Sequence, residues 1–185
     1  GIGPPGKRNR LDMLHALGAA EALVAQGLKA PTFQYRTKKH GLLAEFDFAA
    51  IADATRHPYR LQCEQSKLTR ILYEQMRGHR NFDLRFGCAV TNVDQDDSGV
   101  EVTVEREGRS EKHSGHYLIG ADGASSMVRR ALGIEFEGFT WPDRLLVVST
   151  PFVFHIVIPG LTSVNYIPDP ERWYFLLPCP GPWVG

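Results

Sequence analysis

The sequence predicts an α/β fold, with helices and strands mixed over residues 1–133, including an antiparallel β-meander, and the start of a mostly antiparallel sheet over residues 134–185. Three observations lead there. Leucines and other apolar residues recur at helical spacing in two stretches, around Leu11–Val24 and Leu68–Met76. From Asp83 onward, short runs of alternating apolar and polar residues are separated by turn-forming segments. One run, YLIGA at residues 117–121, is continuously apolar and passes at once into a helical pattern, as a strand buried on both faces of a parallel sheet would.

Taken in order, Leu11, Leu14, Leu17, Ala20, Leu23 and Val24 place a helix after Lys7, or two short helices divided at Gly18, with Gly27 as the stop. TFQYRT (32–37) and LLAEFDF (42–48) flank a Lys38–Gly41 turn and read as a hairpin, followed by a helical patch at Phe48–Ala54. YRLQ (59–62) reads as extended. EQSKLTRILYEQM (64–76) puts Leu68, Ile71, Leu72 and Met76 on one helical face, and Gly78 ends it. DLRFG, AVTNVDQD, GVEVTVERE and KHSGHYLIGAD then read as strands, with DDSG (96–99) and EGRSEK (107–112) as turns. SSMVRRALG forms a helix closed by Gly133. Beyond it RLLVVSTPF (144–152), SVNYI (163–167) and RWYFLLP (172–178) alternate with Pro and Gly as strands of a second region.

Composition narrows the function. Lys plus Arg equals Asp plus Glu at 21 each, so no basic surplus exists to neutralise a nucleic-acid backbone. No stretch of about 18 apolar residues is present to span a bilayer. Neither nucleic acid nor membrane is therefore an expected partner, and a cytoplasmic location is expected. Cys63, Cys88 and Cys179 are scattered and odd in number, which reads as buried thiols rather than a disulfide framework. His113 and His116 stand too far from other ligand types to form a zinc site.

Two glycine-containing stretches could serve a nucleotide. GIGPPG at residues 1–6 has the spacing of a G-x-G-x-x-G phosphate loop, and Glu21 follows at about the distance of a ribose ligand. Its context is wrong. No strand delivers Gly1, Pro4 and Pro5 carry no N–H for a phosphate, and Glu21 lies inside a helical pattern. The second stretch, YLIGADGASSMVRRALG (117–133), couples an apolar run to an Asp-Gly turn and a helix. Gly123 can adopt the positive φ of a sharp turn, and Asp122 or Ser125 can accept from the first helical amides. An Asp-Gly turn with a capped helix is the plain structural reading. A cofactor site at a sheet's C-terminal edge is the functional one.

The whole string resembles the "DG" fingerprint of the class A flavoprotein monooxygenases, the family of para-hydroxybenzoate, phenol and salicylate hydroxylases. Gly120, Asp122, Gly123, Ser126, Val128 and Arg129 stand at its motif positions. The resemblance implies that Gly120, Asp122, Gly123 and Ser126 belong to the cofactor-binding turn, with Asp122 and Gly123 at the flavin nucleotide and Arg129 near the path of the nicotinamide. Arg130 reads as a solvated helix residue. Upstream, QCEQSKLTRIL matches the family's helix that opens with Gln or Arg three residues before Leu, which makes Gln65 a candidate FAD contact. The segment around GIGPPG, leading into LDMLHALGAAEALVAQG, resembles the turn after the family's second Rossmann strand.

The likeness implies FAD and NAD(P)H as cofactors, O₂ as co-substrate and a small aromatic, phenolic substrate hydroxylated through a flavin C4a-hydroperoxide. It further implies a division into a partial FAD/NAD(P)-binding Rossmann-like domain at 1–133 and the start of a substrate-binding sheet at 134–185. The family's opening strand, phosphate loop and second strand, and its later G-D-x-x-H-type segment, are not found in the sequence. The chain is therefore expected to be an internal fragment that binds FAD weakly or not at all by itself. Phenols react better as phenolates, so a Tyr or His near the ring oxygen is expected. Tyr166, Tyr174 and His155 are available, with Tyr166 preferred, while Trp141, Trp173 and Phe175 either line a pocket or pack a core. The alternatives are a related flavin halogenase or reductase, or a non-catalytic nucleotide-binding or interaction module on the same core.

Overall fold

The computed structural model describes residues 10–142, 144–169 and 173–178. Residues 1–9, with the GIGPPG stretch and the start of the first helical pattern, lie outside the described residues, as does Cys179. In chain order the elements are α1 (Arg10–Ala16), α2 (Ala20–Val24), β1 (Leu28–Ala30), β2 (Thr32–Thr37), β3 (Gly41–Asp47), a 3₁₀ turn (Phe48–Ile51), β4 (Arg60–Gln62) and α3 (Gln65–Met76). They continue with β5 (Ala89–Asp96), β6 (Gly99–Arg106), β7 (Arg109–Gly115), α4 (Met127–Ala131), a 3₁₀ turn (Phe154–Ile156), β8 (Asn165–Ile167) and β9 (Tyr174–Leu176). The fold is α/β with largely antiparallel sheets. Two compact units make up the chain, one from Gly1–Phe82 with Val148–Gly185 and the other from Asp83–Val147.

In the first unit the helical pattern resolves into two short helices, and Leu11, Ala19, Ala20 and Leu23 are the buried residues of that segment. β1 pairs antiparallel with β4. A four-stranded sheet has the order β3-β2-β8-β9, in which the β2–β3 hairpin joins strands from near the far end of the chain. β2 runs parallel to β8, with Gln34 opposite Asn165 and Tyr35 opposite Tyr166.

Strand alternation gives this sheet two unlike faces. On one, Phe33 stacks on Phe46 with ring centroids 4.9 Å apart, and Tyr35 stacks on Tyr166 at 5.4 Å. On the other, Gln34, Arg36 and Asn165 are buried polar residues. Arg36 Nη1 donates to Gln34 Oε1 at 2.7 Å and to the Gly160 carbonyl at 2.9 Å, and Nη2 donates to the Pro159 carbonyl at 2.9 Å. Gln34 Nε2 donates in turn to Glu45. Asn165 donates from Nδ2 to the Thr162 carbonyl at 2.6 Å and accepts the Thr162 amide at 3.1 Å. The loop before β8 is thus clamped to β2 by side chains as well as by the Gln34 amide, which donates to the Val164 carbonyl.

In the second unit β5, β6 and β7 form a three-stranded antiparallel sheet in sequence order. Asp96 Oδ1 builds the first turn by accepting from the Ser98 amide at 2.8 Å and the Gly99 amide at 3.2 Å. The second turn is only Glu107-Gly108, both at positive φ, 51° and 74°. That two-residue turn matches the twist of the strands it joins, so Arg109–Lys112, expected as turn, instead begins β7. Val93 and Val104 are buried between strands.

Four expectations are corrected. Residues 117–121 are not a buried strand: Tyr117 and Ile119 are 93% and 88% exposed, and no described strand pairs with them. A strand buried on both faces needs hydrogen-bonded neighbours and covering layers, and this run has neither. Residues 144–152 and 83–87 are likewise outside any strand, with Leu145–Val148 exposed. Cys63 and Cys88 are half-buried rather than enclosed, and burial pushes the Cys63 thiol up. Trp141, Trp173 and Phe175 are exposed rather than packed in a core. Among the described residues, no helix is long and apolar enough to cross a membrane.

Arg36 is buried in the first unit and makes three side-chain hydrogen bonds. Replacing it by Ala removes its three hydrogen bonds to Gln34, Pro159 and Gly160, each worth about 0.5–1.5 kcal/mol net. Urea unfolding of Arg36→Ala is expected to show a loss of about 2–3 kcal/mol, with Arg36→Lys recovering only part, because one ammonium cannot reproduce the guanidinium fork.

Candidate functional site

The Asp-Gly turn lies in the second unit, between β7 and α4. Gly120 comes first, where a Cβ would lie 3.1 Å from the Val128 side chain, closer than ordinary van der Waals contact, so a larger residue would require Val128 to give way slightly. Gly123 turns the chain at φ 78°, a conformation that other residues adopt under strain. Between them the Asp122 carboxylate holds the following turn with both oxygens. Oδ1 accepts from the Ser126 hydroxyl at 2.5 Å, while Oδ2 accepts from the Met127 and Val128 amides at 2.6 and 3.1 Å. Ser126 Oγ accepts from the Arg129 amide at 3.0 Å, making Ser126, and not Ser125, the N-cap of α4. At the other end Gly133 and Ile134 donate to the Arg130 and Arg129 carbonyls, a Schellman closure.

The electrostatic consequence is direct. The Ser126 hydroxyl, and after it the Val128 amide, holds the Asp122 carboxyl well below its ordinary value of 3.8, at about 2. A carboxylate with both oxygens engaged is a scaffold for the turn, and its charge would repel a phosphate. What the turn offers an anion is the exposed backbone at Gly123–Ser125, where no acceptor among the described residues serves the Ala124 and Ser125 amides. Arg129 adds a cation. Its Nη1 donates to the Ile134 carbonyl at 2.9 Å, its guanidinium lies 5.3 Å from the Phe136 ring centre, and its Nε is buried without a partner. Free amides and an incompletely satisfied guanidinium fit an anionic dinucleotide.

The other named residues belong to the first unit. Gln65 opens α3 and is exposed; its carbonyl accepts from Thr69 Oγ1. Tyr166 lies half-buried in the aromatic row, where Arg60 Nη1 donates to its hydroxyl at 2.9 Å. The two alternatives to Tyr166 lie on the opposite sheet face or beside it. Tyr174 shares the Asn165 face and has the Lys38 ammonium 5.9 Å from its ring centre, and His155 lines a cavity of about 310 Å³ with Phe152, Phe154, Asn165 and Leu176. The structure therefore does not bring the three candidates together. Sequence reading missed Arg60, which lay in a short extended run with no motif; only knowledge that β4 ends beside β8 could have singled it out. Among the described residues no cluster of His, Cys, Asp or Glu could hold a metal ion.

The FAD binding domain family matches residues 7–168. Para-nitrophenol 4-monooxygenase from Pseudomonas sp. (strain WBC-3) is 29% identical over 160 residues, covering 86% of this chain and 39% of that protein. 6-Hydroxy-3-succinoylpyridine 3-monooxygenase from Pseudomonas putida (strain DSM 28022 / S16) is 34% identical over 156 residues, covering 84% and 40%. The chain thus spans about two fifths of the length of these relatives. In three dimensions the crystal structure of p-nitrophenol 4-monooxygenase from Pseudomonas putida DLL-E4 superposes with a TM-score of 0.76 at 23% identity, over 90% of this chain and 42% of that one.

Because its folded value is depressed, Asp122 contributes stability that is fully present above its unfolded value near 3.8 and is lost as pH falls through about 2. A carboxyl carbon NMR titration is expected to place its midpoint near 2, and Asp122→Asn is expected to remove that titration and loosen the α4 amides in hydrogen exchange. A midpoint at the ordinary aspartate value would show that the capping geometry is absent in solution.

Proposed function

The chain belongs to the FAD binding domain family of the class A aromatic monooxygenases, and from that membership we propose that it is the nucleotide-binding and substrate-sheet portion of an FAD- and NAD(P)H-dependent hydroxylase of phenolic rings. The observation that carries the reading is the Asp122 turn, in which Asp122, Gly123, Ser126 and Arg129 are joined by hydrogen bonds, Gly120 packs against Val128, and the backbone at Gly123–Ser125 is left exposed. When bound, FAD and NAD(P)H supply the reducing equivalents and the activation of O₂, which is chemistry that belongs to the cofactors.

The chain's own residues supply position and electrostatics. Asp122 and Ser126 hold the turn, Gly120 and Gly123 let its backbone approach the flavin nucleotide, and Arg129 provides positive charge for the nicotinamide dinucleotide. Gln65, exposed at the start of α3, hydrogen-bonds FAD. In this reading residues 1–133 make up part of a Rossmann-like nucleotide domain, and residues 134–185 begin the substrate sheet. Tyr166 meets the ring oxygen of the substrate and favours its ionised form, which is the better nucleophile. The aromatic row of Phe33, Tyr35, Phe46 and Tyr166 offers ring-to-ring contact to such a substrate. The relative acting on para-nitrophenol makes nitrophenols the first substrates to try.

The test is NAD(P)H oxidation by the flavin-loaded full-length parent protein against a panel of phenols and aromatic acids, with hydroxylated product measured separately from hydrogen peroxide. Stimulated oxidation coupled to product is expected for at least one phenol. Tyr166→Phe is expected to lower kcat/KM for it by about 10- to 100-fold and divert turnover to peroxide. FAD-loaded protein whose oxidation rate no aromatic compound changes would sink the hydroxylase reading.

A further inference from the structure

Arg60 and Tyr166 lie in the same compact unit, 106 residues apart in sequence, and meet at 2.9 Å. A guanidinium carries donors only. In this contact the Tyr166 oxygen must therefore accept, and the hydroxyl's own proton is left for another partner. Among the described residues no acceptor takes it.

The ring is not free to swing toward one. Tyr35 stacks on it at 5.4 Å with planes 26° apart, and Phe33 meets it edge-on at 6.3 Å. Arg60 is fixed by its own strand pairing, opposite Ala30, and is half-buried, so its charge is less screened than at an open surface.

We propose that Arg60 is a positioning residue that commits the Tyr166 hydroxyl to donating to a bound ligand, so that this sheet face selects an aromatic ring bearing an anionic oxygen, a phenolate over the neutral phenol. The inference rests on the reading of Tyr166 as a ligand contact. A phenolate presents only acceptor lone pairs to the waiting O–H, and its charge lies close to the guanidinium. A neutral phenol can accept the same O–H, but it carries no charge for the guanidinium to stabilise and keeps a proton that needs a partner of its own. The phenol's proton is released to solvent as the ligand binds, and no bond other than this O–H bond is broken.

A nitrophenol, whose ionisation is visible in its absorbance, tests this by equilibrium titration of the flavin-loaded protein, with nitrobenzene as the ligand lacking the ring oxygen. The wild type is expected to bind the nitrophenol with the spectrum of its phenolate. Arg60→Met and Tyr166→Phe should each weaken that binding about tenfold, the order expected for one charge-assisted hydrogen bond. The double variant should be little worse than either, Arg60→Lys should recover most of the loss, and nitrobenzene affinity should hardly change.

If Tyr166→Phe has no effect, or the wild type binds no nitrophenol, the reading of Tyr166 as a ligand contact fails. If Tyr166→Phe weakens binding but Arg60→Met does not, that reading stands and the positioning role is overturned. Equal losses for both ligands in Arg60→Met, or a neutral-phenol spectrum in the wild type, overturn it as well.

Discussion

Arg36 sets the orientation of the sheet on which the first unit is built. A charged group out of water is tolerated only where acceptors replace the lost solvent, and for Arg36 those acceptors are the Gln34 side chain and the Pro159 and Gly160 carbonyls, all on one side of β2. Side chains alternate along a strand. Burying Gln34 and Arg36 therefore turns Phe33 and Tyr35 to the other face, and the parallel register with β8 brings Tyr166 beside Tyr35. The usual arrangement, apolar inside and polar outside, is reversed on this strand. An aromatic row at the more open face follows from a buried cation beneath it.

In the second unit a carboxylate has the corresponding part. Asp122 invites a reading as a ligand-binding acid, yet its two oxygens are consumed by Ser126, Met127 and Val128. Its work is mechanical: it fixes the path of residues 120–126 so that amides, rather than its own charge, face outward. α4 has only five residues, so little helix dipole stands behind those amides.

Much of this was legible in the sequence wherever structure is decided within a few residues. The β2–β3 hairpin, α3, and the Asp-Gly turn with its helix all follow from local spacing and turn chemistry, and Gly18 marks locally where the first helical pattern can divide. What local pattern could not decide was pairing across long distances. TFQYRT reads as a hairpin strand, and nothing in it reveals that β8 is its other neighbour. YLIGA carries the pattern of a buried strand, but a pattern states only what a segment would do if partners were present, and residues 117–121 have none here. Arg60 and Tyr166 each look ordinary in sequence. Their relation exists only because β4 and β8 end near one another.

The second unit is nested inside the first, and this has a kinetic meaning. The β5–β6 and β6–β7 pairings within Asp83–Val147 join strands adjacent in sequence, so they can zip by short loop closures. The first unit must instead join segments some 130 residues apart, as Thr32 and Thr162 do. Closing so long a loop is entropically costly until several contacts form together, which slows chain collapse into that sheet. During synthesis β2 emerges long before β8, and its β8-facing edge stays unpaired until the later segment arrives. A nascent chain of this design spends its vulnerable interval with that edge open, and the inserted unit, able to fold meanwhile, shortens the effective span that the ends must bridge.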